Sequence, residues 1–378
     1  MEEKKSYEKK WVRCEVEQEY FGDERKTGKE DRKRKQAGDR SKYKKTDKDQ
    51  SKKNAENAPD FDKKNALSGR VLSISSAGIT VAFEGKIFIC TLRGILKKEK
   101  TQFKNLVTVG DLVLFEPIDE KEGAIIKVET RHSILSRADN LSRRKEHLIA
   151  ANIDQVLITA SVVIPPLKPF LIDRYIIAAK KGNMQPVILI NKIDLLEEES
   201  FTAEAEKNLF EEFIKGYAHS GIPLIPICAK TGAGMETLRE IMKDKVSVFS
   251  GQSGVGKSTL INTVTGLNLL TGDAVQKTGK GAHTTTSANL LPLDFGGWCI
   301  DTPGIKSFGV WNLKKNEIEE YYSEIHEKGY ECKFPNCSHT HETNCAVKEA
   351  VDKEEISFLR YASYVSLIET IDLEHKRR

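Results

Sequence analysis

The chain has 378 residues, with 60 Lys and Arg against 56 Asp and Glu, a formal net charge of +4 and 39% hydrophobic residues. That length suits two or three domains with room for a full core, and no apolar run is long enough to span a membrane as a helix. No secretory signal opens the chain, so a reducing compartment, the cytoplasm, is expected for its seven cysteines, and a secreted disulfide scaffold is not.

Residues 1–65 hold 21 Lys and Arg and 16 Asp and Glu, a net of +5, which leaves 39 against 40, or −1, for the remainder. The positive excess of the whole chain therefore sits here. Few apolar residues and charge runs such as Arg32 to Lys35 and Lys42 to Lys45 leave nothing to bury. The stretch reads as a disordered tail, either simply solvating or an arm for nucleic-acid phosphates. A transit peptide would be poor in acids, and this segment is not.

Residues 66–132 change character to short alternating runs at 68–74, 78–83, 86–92, 111–115 and 123–128, separated by glycine or charged turns. Five such strands in about 65 residues predict an all-β barrel of the OB type. Arg93, Lys97, Lys98, Lys100 and Lys104 place basic charge in one long loop, as an oligonucleotide-binding barrel would; a barrel that only packs against its neighbour is the other reading. Residues 133–150 are polar and read as a linker.

From residue 151 apolar strands alternate with helical stretches such as 170–179 and 201–217, which predicts a mostly parallel α/β domain over 151–312. The all-apolar run 186–190 reads as a buried parallel strand and ends on Asn191, Lys192, Ile193 and Asp194. A carboxylate there can accept two hydrogen bonds from guanine's ring N–H and amino group, whereas adenine leaves it unpaired. Cys228, Ala229 and Lys230, with Thr231 and Gly232 behind them, follow the run 222–227 and have the shape of a second guanine loop, with a cysteine where serine is usual.

Next comes Gly251, Gln252, Ser253, Gly254, Val255, Gly256, Lys257 and Ser258, matching G-x-x-x-x-G-K-[ST] between the apolar run 246–249 and a helix-like stretch from Thr259. A strand, a glycine turn and a helix start form a phosphate cradle of backbone N–H groups. Lys257 would reach the β- and γ-phosphates and serve catalysis, and the Ser258 hydroxyl would ligate magnesium. The glycine- and hydroxyl-rich segment 278–286 follows, in which Thr285, or its neighbours Thr284 and Thr286, can ligate magnesium only when a γ-phosphate orders the loop. Asp301, Thr302, Pro303 and Gly304 close a further strand-like run; Asp301 would hold the magnesium shell and the Gly304 N–H the γ-phosphate. Ile305 stands where many GTPases carry a water-orienting glutamine, so His283 becomes the candidate for that task.

The last stretch, 313–378, carries Cys332, Cys337, His339 and Cys345 within fourteen residues. Three thiolates and an imidazole can close a tetrahedral zinc site with no open position, which makes it structural; His341 is an alternative ligand by spacing. A segment so poor in apolar residues needs the metal to hold itself together.

The guanine tetrad thus precedes the phosphate loop, the reverse of the usual order. With 191–194, 251–258, 279–286, 301–304, the stretch 151–156 and the cysteine cluster, the chain resembles the circularly permuted GTPases of the RsgA (YjeQ) type over about residues 66–370. The resemblance implies a GTP hydrolase that binds the maturing small (30S) ribosomal subunit and its rRNA, is stimulated by it and leaves on hydrolysis. It also implies an OB domain that docks on that subunit, a catalytic His283, and His339 rather than His341 as the fourth zinc ligand. A monomer is expected. Because the chain runs from Gly304 directly into the metal domain, the γ-phosphate is expected to set the angle of that domain relative to the barrel. A permuted GTPase of the large subunit, an RNA-binding nucleotide sensor without turnover and an ATP-dependent kinase are the alternatives.

Overall fold

The structure, a computed structural model, describes residues 66–93, 105–138, 146–197, 203–266, 288–301 and 315–376. Burial alternates along the first four barrel strands, β1 (Leu67–Ser75), β2 (Gly78–Phe83), β3 (Lys86–Leu92) and β4 (Leu112–Pro117), and breaks in β5 (Glu122–Val128), where Gly123, Ala124 and Ile125 are all buried. On β3, Phe88 and Cys90 are buried while Ile87 and Ile89 face out. The strands pair in the order β1, β2, β3, β5, β4, and β4 returns to β1, which closes the barrel and removes its edges. Only β3 and β5 run parallel. Val71, Val81, Val113, Phe115 and Ile125 fill the interior.

The connecting stretch 133–150 carries a hairpin of β6 (Ile134–Ala138) and β7 (Glu146–Ala151). Asn105 replaces a strand neighbour on one side of it, donating to the Leu148 carbonyl and accepting from the Leu148 N–H, both at 3.0 Å. Asn152, at φ 55°, donates to the Gly110 carbonyl at 3.1 Å. Barrel and hairpin are thus joined through side-chain amides.

Six strands follow: β8 (Gln155–Ser161), β9 (Gln185–Asn191), β10 (Leu224–Pro226), β11 (Val246–Ser250), β12 (Asn289–Pro292) and β13 (Trp298–Asp301). They lie in the order β10, β9, β8, β11, β13, β12, all parallel except β12. Helices α1 (Pro169–Lys181), α2 (Ala203–Tyr217), α3 (Met235–Met242) and α4 (Lys257–Thr265) cover both faces. This is why β8 and β11 are buried along their whole length, polar residues included, and why β9 carries the unbroken apolar run 186–190. The pleat sorts them: Ile158, Ile188 and Ile190 pack with Ile176 and Phe213 of α1 and α2, while Leu157, Leu189 and Phe249 pack with Leu238 and Leu260 of α3 and α4. A pairing of Ser73 with Asn289 makes the barrel continuous with this sheet.

The C-terminal unit is helical: α5 (Lys315–Ile318), α6 (Ser323–Gly329), α7 (Ala346–Asp352) and α8 (Phe358–Lys376). Ile318, Tyr322, Ile325, Val347, Tyr364 and Ile368 form its core and include Ile177 of α1, so the unit is packed onto the α/β domain. A buried charge cluster sits at that seam. Arg360 of α8 donates through Nη1 to Asp173 of α1 and through Nε to Glu324 at 2.6 Å. Its guanidinium lies 5.0 and 4.4 Å from the ring centres of Tyr217 and Tyr322. Among the described residues no helix is long and apolar enough to cross a membrane. Barrel, permuted α/β domain and a small helical unit carrying the cysteine and histidine cluster match the architecture expected from the sequence, and the tail expected over 1–65 lies outside the described residues.

Candidate nucleotide site and metal centre

Parallel strands end their carboxyl edge on one side of the sheet, where β9, β11 and β13 deliver Asn191, Gly251 and Asp301 together. β11 runs into the loop 251–256 and then into α4, with Lys257 and Ser258 in its first turn and Gly256 as its cap at φ 95°. A side chain at Gly256 is excluded twice. Its φ lies in the left-handed region, and a Cβ would stand 2.4 Å from Asn191 Nδ2. The Lys257 ammonium donates to the carbonyls of Gly251 (2.7 Å) and Gln252 (2.6 Å), so its charge lies over the loop. Ser253, Gly254 and Thr259 are exposed and Val255 is buried.

The guanine tetrad is clamped to this loop. Asn191 donates to the Val255 carbonyl at 2.9 Å, and its oxygen accepts from the Ala229 N–H at 3.3 Å. Lys192, at φ 64°, sends its ammonium to the carbonyls of Gly254 (2.7 Å) and Ile164 (2.6 Å). A left-handed backbone at a lysine is strained and is held here by these contacts. Asp194 opens onto a cleft of about 450 Å³ lined by Ile193, Leu196, Lys207, Phe210 and Thr231. The buried Cys228 thiol donates to Asp194 Oδ1 at 3.1 Å and accepts the Thr231 N–H at 3.4 Å. Thus 191–194, 228–231 and 251–257, scattered along the chain, converge; Lys230 is exposed beside them. The loop that offers Ile164 carries no motif and was not legible beforehand.

Asp301 ends β13, one strand away from the phosphate loop. Burial raises its pKa, because desolvation disfavours the charged carboxylate. A nearby cation would reverse that preference. His283, Thr285 and Gly304 lie outside the described residues.

Cys332, Cys337, His339 and Cys345 bring one ligand atom each to within 4.8 Å of one another. His339 Nδ1 lies 3.5 Å from the Cys332 sulfur and 3.4 Å from that of Cys345, and those two sulfurs are 3.8 Å apart. Zinc–sulfur bonds of about 2.3 Å and zinc–nitrogen bonds of about 2.05 Å place tetrahedral ligands about 3.8 and 3.6 Å apart, so the cluster fits a tetrahedral divalent ion. Burial pushes the Cys337 thiol up to about 12 without a cation. His341 is exposed and contacts Thr340 instead, which removes it from the cluster.

The family model described as RsgA GTPase matches residues 128–311. The curated "Small ribosomal subunit biogenesis GTPase RsgA" of Chlorobaculum parvum is 42% identical over 277 residues, 71% of this chain and 86% of that one. Its namesake from Chlorobaculum tepidum is 40% identical over 319 residues, 82% of this chain and 99% of that one. Among solved structures, YjeQ from Thermotoga maritima superposes with a TM-score of 0.63 at 32% identity, covering 81% of this chain and 98% of that one. YloQ, described as a circularly permuted GTPase, gives 0.63 at 28% identity over 82% and 96%. With its guanine tetrad and phosphate loop in inverted order and these relatives beside it, the chain belongs to the RsgA GTPase family.

Proposed function

We propose that the protein hydrolyses GTP to GDP and phosphate on the maturing small ribosomal subunit, is stimulated by that subunit and is released after hydrolysis. The observation that carries the nucleotide part is the clamp of Asn191 and Lys192 onto the phosphate loop. The subunit is named in the relatives.

In this reading Asp194 accepts from guanine, with the loop at 228–230 beside it and the Cys228 thiol holding the carboxylate. The N–H groups of 251–259 surround the phosphates. Lys257 exchanges its two loop carbonyls for phosphate oxygens. Ser258, Thr285 and Asp301 are the residues that would hold magnesium, which supplies charge neutralisation at the β- and γ-phosphates when bound. The Gly304 N–H meets the γ-phosphate, and His283 orients the attacking water in place of the glutamine that Ile305 replaces. The cysteine and histidine cluster holds one structural zinc ion. The barrel of 66–132 and the basic tail 1–65 supply contacts to rRNA, the α/β unit of 151–312 the chemistry, and 313–378 the metal domain. We place the protein in the cytoplasm as a monomer.

The test is nucleotide hydrolysis by the purified chain alone, with small subunits and with large subunits, with ATP run in parallel. Stimulation by small subunits alone, and of GTP alone, is expected. Equal stimulation by large subunits, or none by either, would sink the assignment of partner.

A further inference from the structure

We infer that Glu319 orients His339 for metal binding, acting as the carboxylate behind the ligand, and that Gly329 lacks a side chain so that it can. The inference rests on the metal centre assigned above. His339 presents Nδ1 to the sulfurs of Cys332 and Cys345. A neutral imidazole that ligates through Nδ1 must carry its proton on Nε2. That nitrogen is buried without a made hydrogen bond, in a side chain only 2% exposed, and Glu319 Oε2 faces it at 3.5 Å.

Glu319 does not swing freely. Its other oxygen lies 3.2 Å from His326 Nδ1, and His326 Nε2 meets the Tyr330 hydroxyl at 2.9 Å. The carboxylate is therefore held between two imidazoles, aimed at the one that ligates. Gly329 closes the arrangement from α6. A Cβ there would stand 2.8 Å from Glu319 Oε1 and 3.3 Å from His339 Nε2, pushing the carboxylate off the ring. Carboxylates in this position fix the tautomer and raise the basicity of a metal-bound histidine.

The position of Glu319 in the chain gives the contact a second consequence. It begins the 3-10 turn Glu319–Tyr321, which Lys180 of α1 meets by donating to the Tyr321 carbonyl at 3.5 Å, while Lys181 faces Glu317 of the preceding α5 at 3.9 Å. The lysines of α1 therefore hold this segment against the α/β domain, and Glu319 links it to His339.

The experiment uses the full chain loaded with zinc and follows zinc transfer to a chromophoric chelator. Wild type should hold one zinc per chain; if it holds none, the metal assignment itself falls before any variant is compared. Glu319→Ala should weaken zinc binding about 10- to 100-fold, and Glu319→Gln, isosteric but a weaker acceptor, several-fold. Glu317→Ala, which removes a neighbouring carboxylate that faces Lys181, should match wild type. A second readout is the Nε2–H proton of His339 in the zinc-loaded protein, which should be visible by NMR in wild type and lost to exchange in Glu319→Ala. Wild-type affinity and an unchanged imidazole proton in either Glu319 variant would overturn the inference, as would an equal loss in Glu317→Ala. Should Glu319→Ala fail to fold, Glu319→Gln decides.

Discussion

Asn191 and Val255 are 64 positions apart in the chain and 2.9 Å apart in space, amide to carbonyl. This contact joins the tetrad at 191–194 to the glycine loop at 251–256 across the inverted order. It passes directly over Gly256, whose missing Cβ makes room for it. Replacing Gly256 by alanine should displace Asn191, strain the turn and weaken GDP binding at least 10-fold, as read by titration with a fluorescent guanine nucleotide.

The Cys228 thiol and Asp194 make a second such pair. Asp194→Asn exchanges an acceptor for a mixed amide and removes about two charge-assisted hydrogen bonds to guanine, each worth about 1.5–3 kcal/mol. GTP affinity should drop about 10²-fold or more, and xanthine nucleotides should become competitors. Cys228→Ser should retain discrimination because a hydroxyl donates to the carboxylate as a thiol does, whereas Cys228→Ala should loosen it. Competition by GDP, XDP and ADP measures all three.

Asp301 carries opposite consequences for folding and for catalysis. Burial raises its pKa, so the folded chain binds this proton more tightly than the unfolded chain does. Stability contributed by the protonated form is present below the ordinary aspartate value of about 3.9 and is lost as pH rises through the higher folded value. Asp301→Asn should therefore raise the melting temperature of the nucleotide-free protein at neutral pH and flatten its pH dependence on the rise above about 3.9. The same change should cut GTP hydrolysis about 10²-fold or more, since it removes a proposed magnesium group worth several kcal/mol in the transition state. A variant that is less stable and fully active would contradict both halves.

Arg360 tests how the metal domain is carried. It is 1% exposed, sandwiched by Tyr217 and Tyr322 and bound to Asp173 and Glu324. Removing the central charge of a buried triad strands both carboxylates, so Arg360→Ala should cost about 3–5 kcal/mol, whereas the triple change Arg360→Met with Asp173→Leu and Glu324→Gln should cost much less. Chemical denaturation checks this. The motion expected from the sequence, with the γ-phosphate setting the angle between metal domain and barrel, then requires the α/β and metal units to move together. A distance probe between α1 and α8 should read the same with GDP and with a non-hydrolysable GTP analogue.

His283→Ala should lower the turnover number about 10²-fold or more, the contribution usual for a positioned proton-handling group, with nucleotide affinity nearly intact. Single-turnover hydrolysis alongside nucleotide titration separates the two effects. Unchanged turnover would remove His283 from the mechanism.

The motifs were legible because each is local: a strand end, a glycine turn and a helix start lie within a dozen residues, and the three cysteines and His339 within fourteen. The barrel was legible by its period-two alternation, as in β2, where Ile79 and Val81 are buried and Thr80 stands between them on the other face; β3, apolar at 87–90 on both faces, shows its inside only in the fold. The hairpin at 134–151 was not, because its amphipathic signal is interrupted by polar residues and its register depends on Asn105, 43 positions away from Leu148. Spacing permits both His339 and His341, and the family resemblance selects His339; the fold supplies the physical reason, since the turn at His339, with φ 57°, aims its ring into the sulfurs.

Sequence by itself determined the family and its GTPase activity, since a tetrad and a phosphate loop in inverted order are local motifs with few other uses at those spacings. Tertiary structure decided the partnerships: Cys228 with Asp194, Lys192 with Gly254 and Ile164, Arg360 with Asp173, and Glu319 with His339. The division has one physical cause. A backbone motif is written in neighbouring residues, whereas a buried polar side chain takes whichever partner the packing of distant elements brings within reach of it.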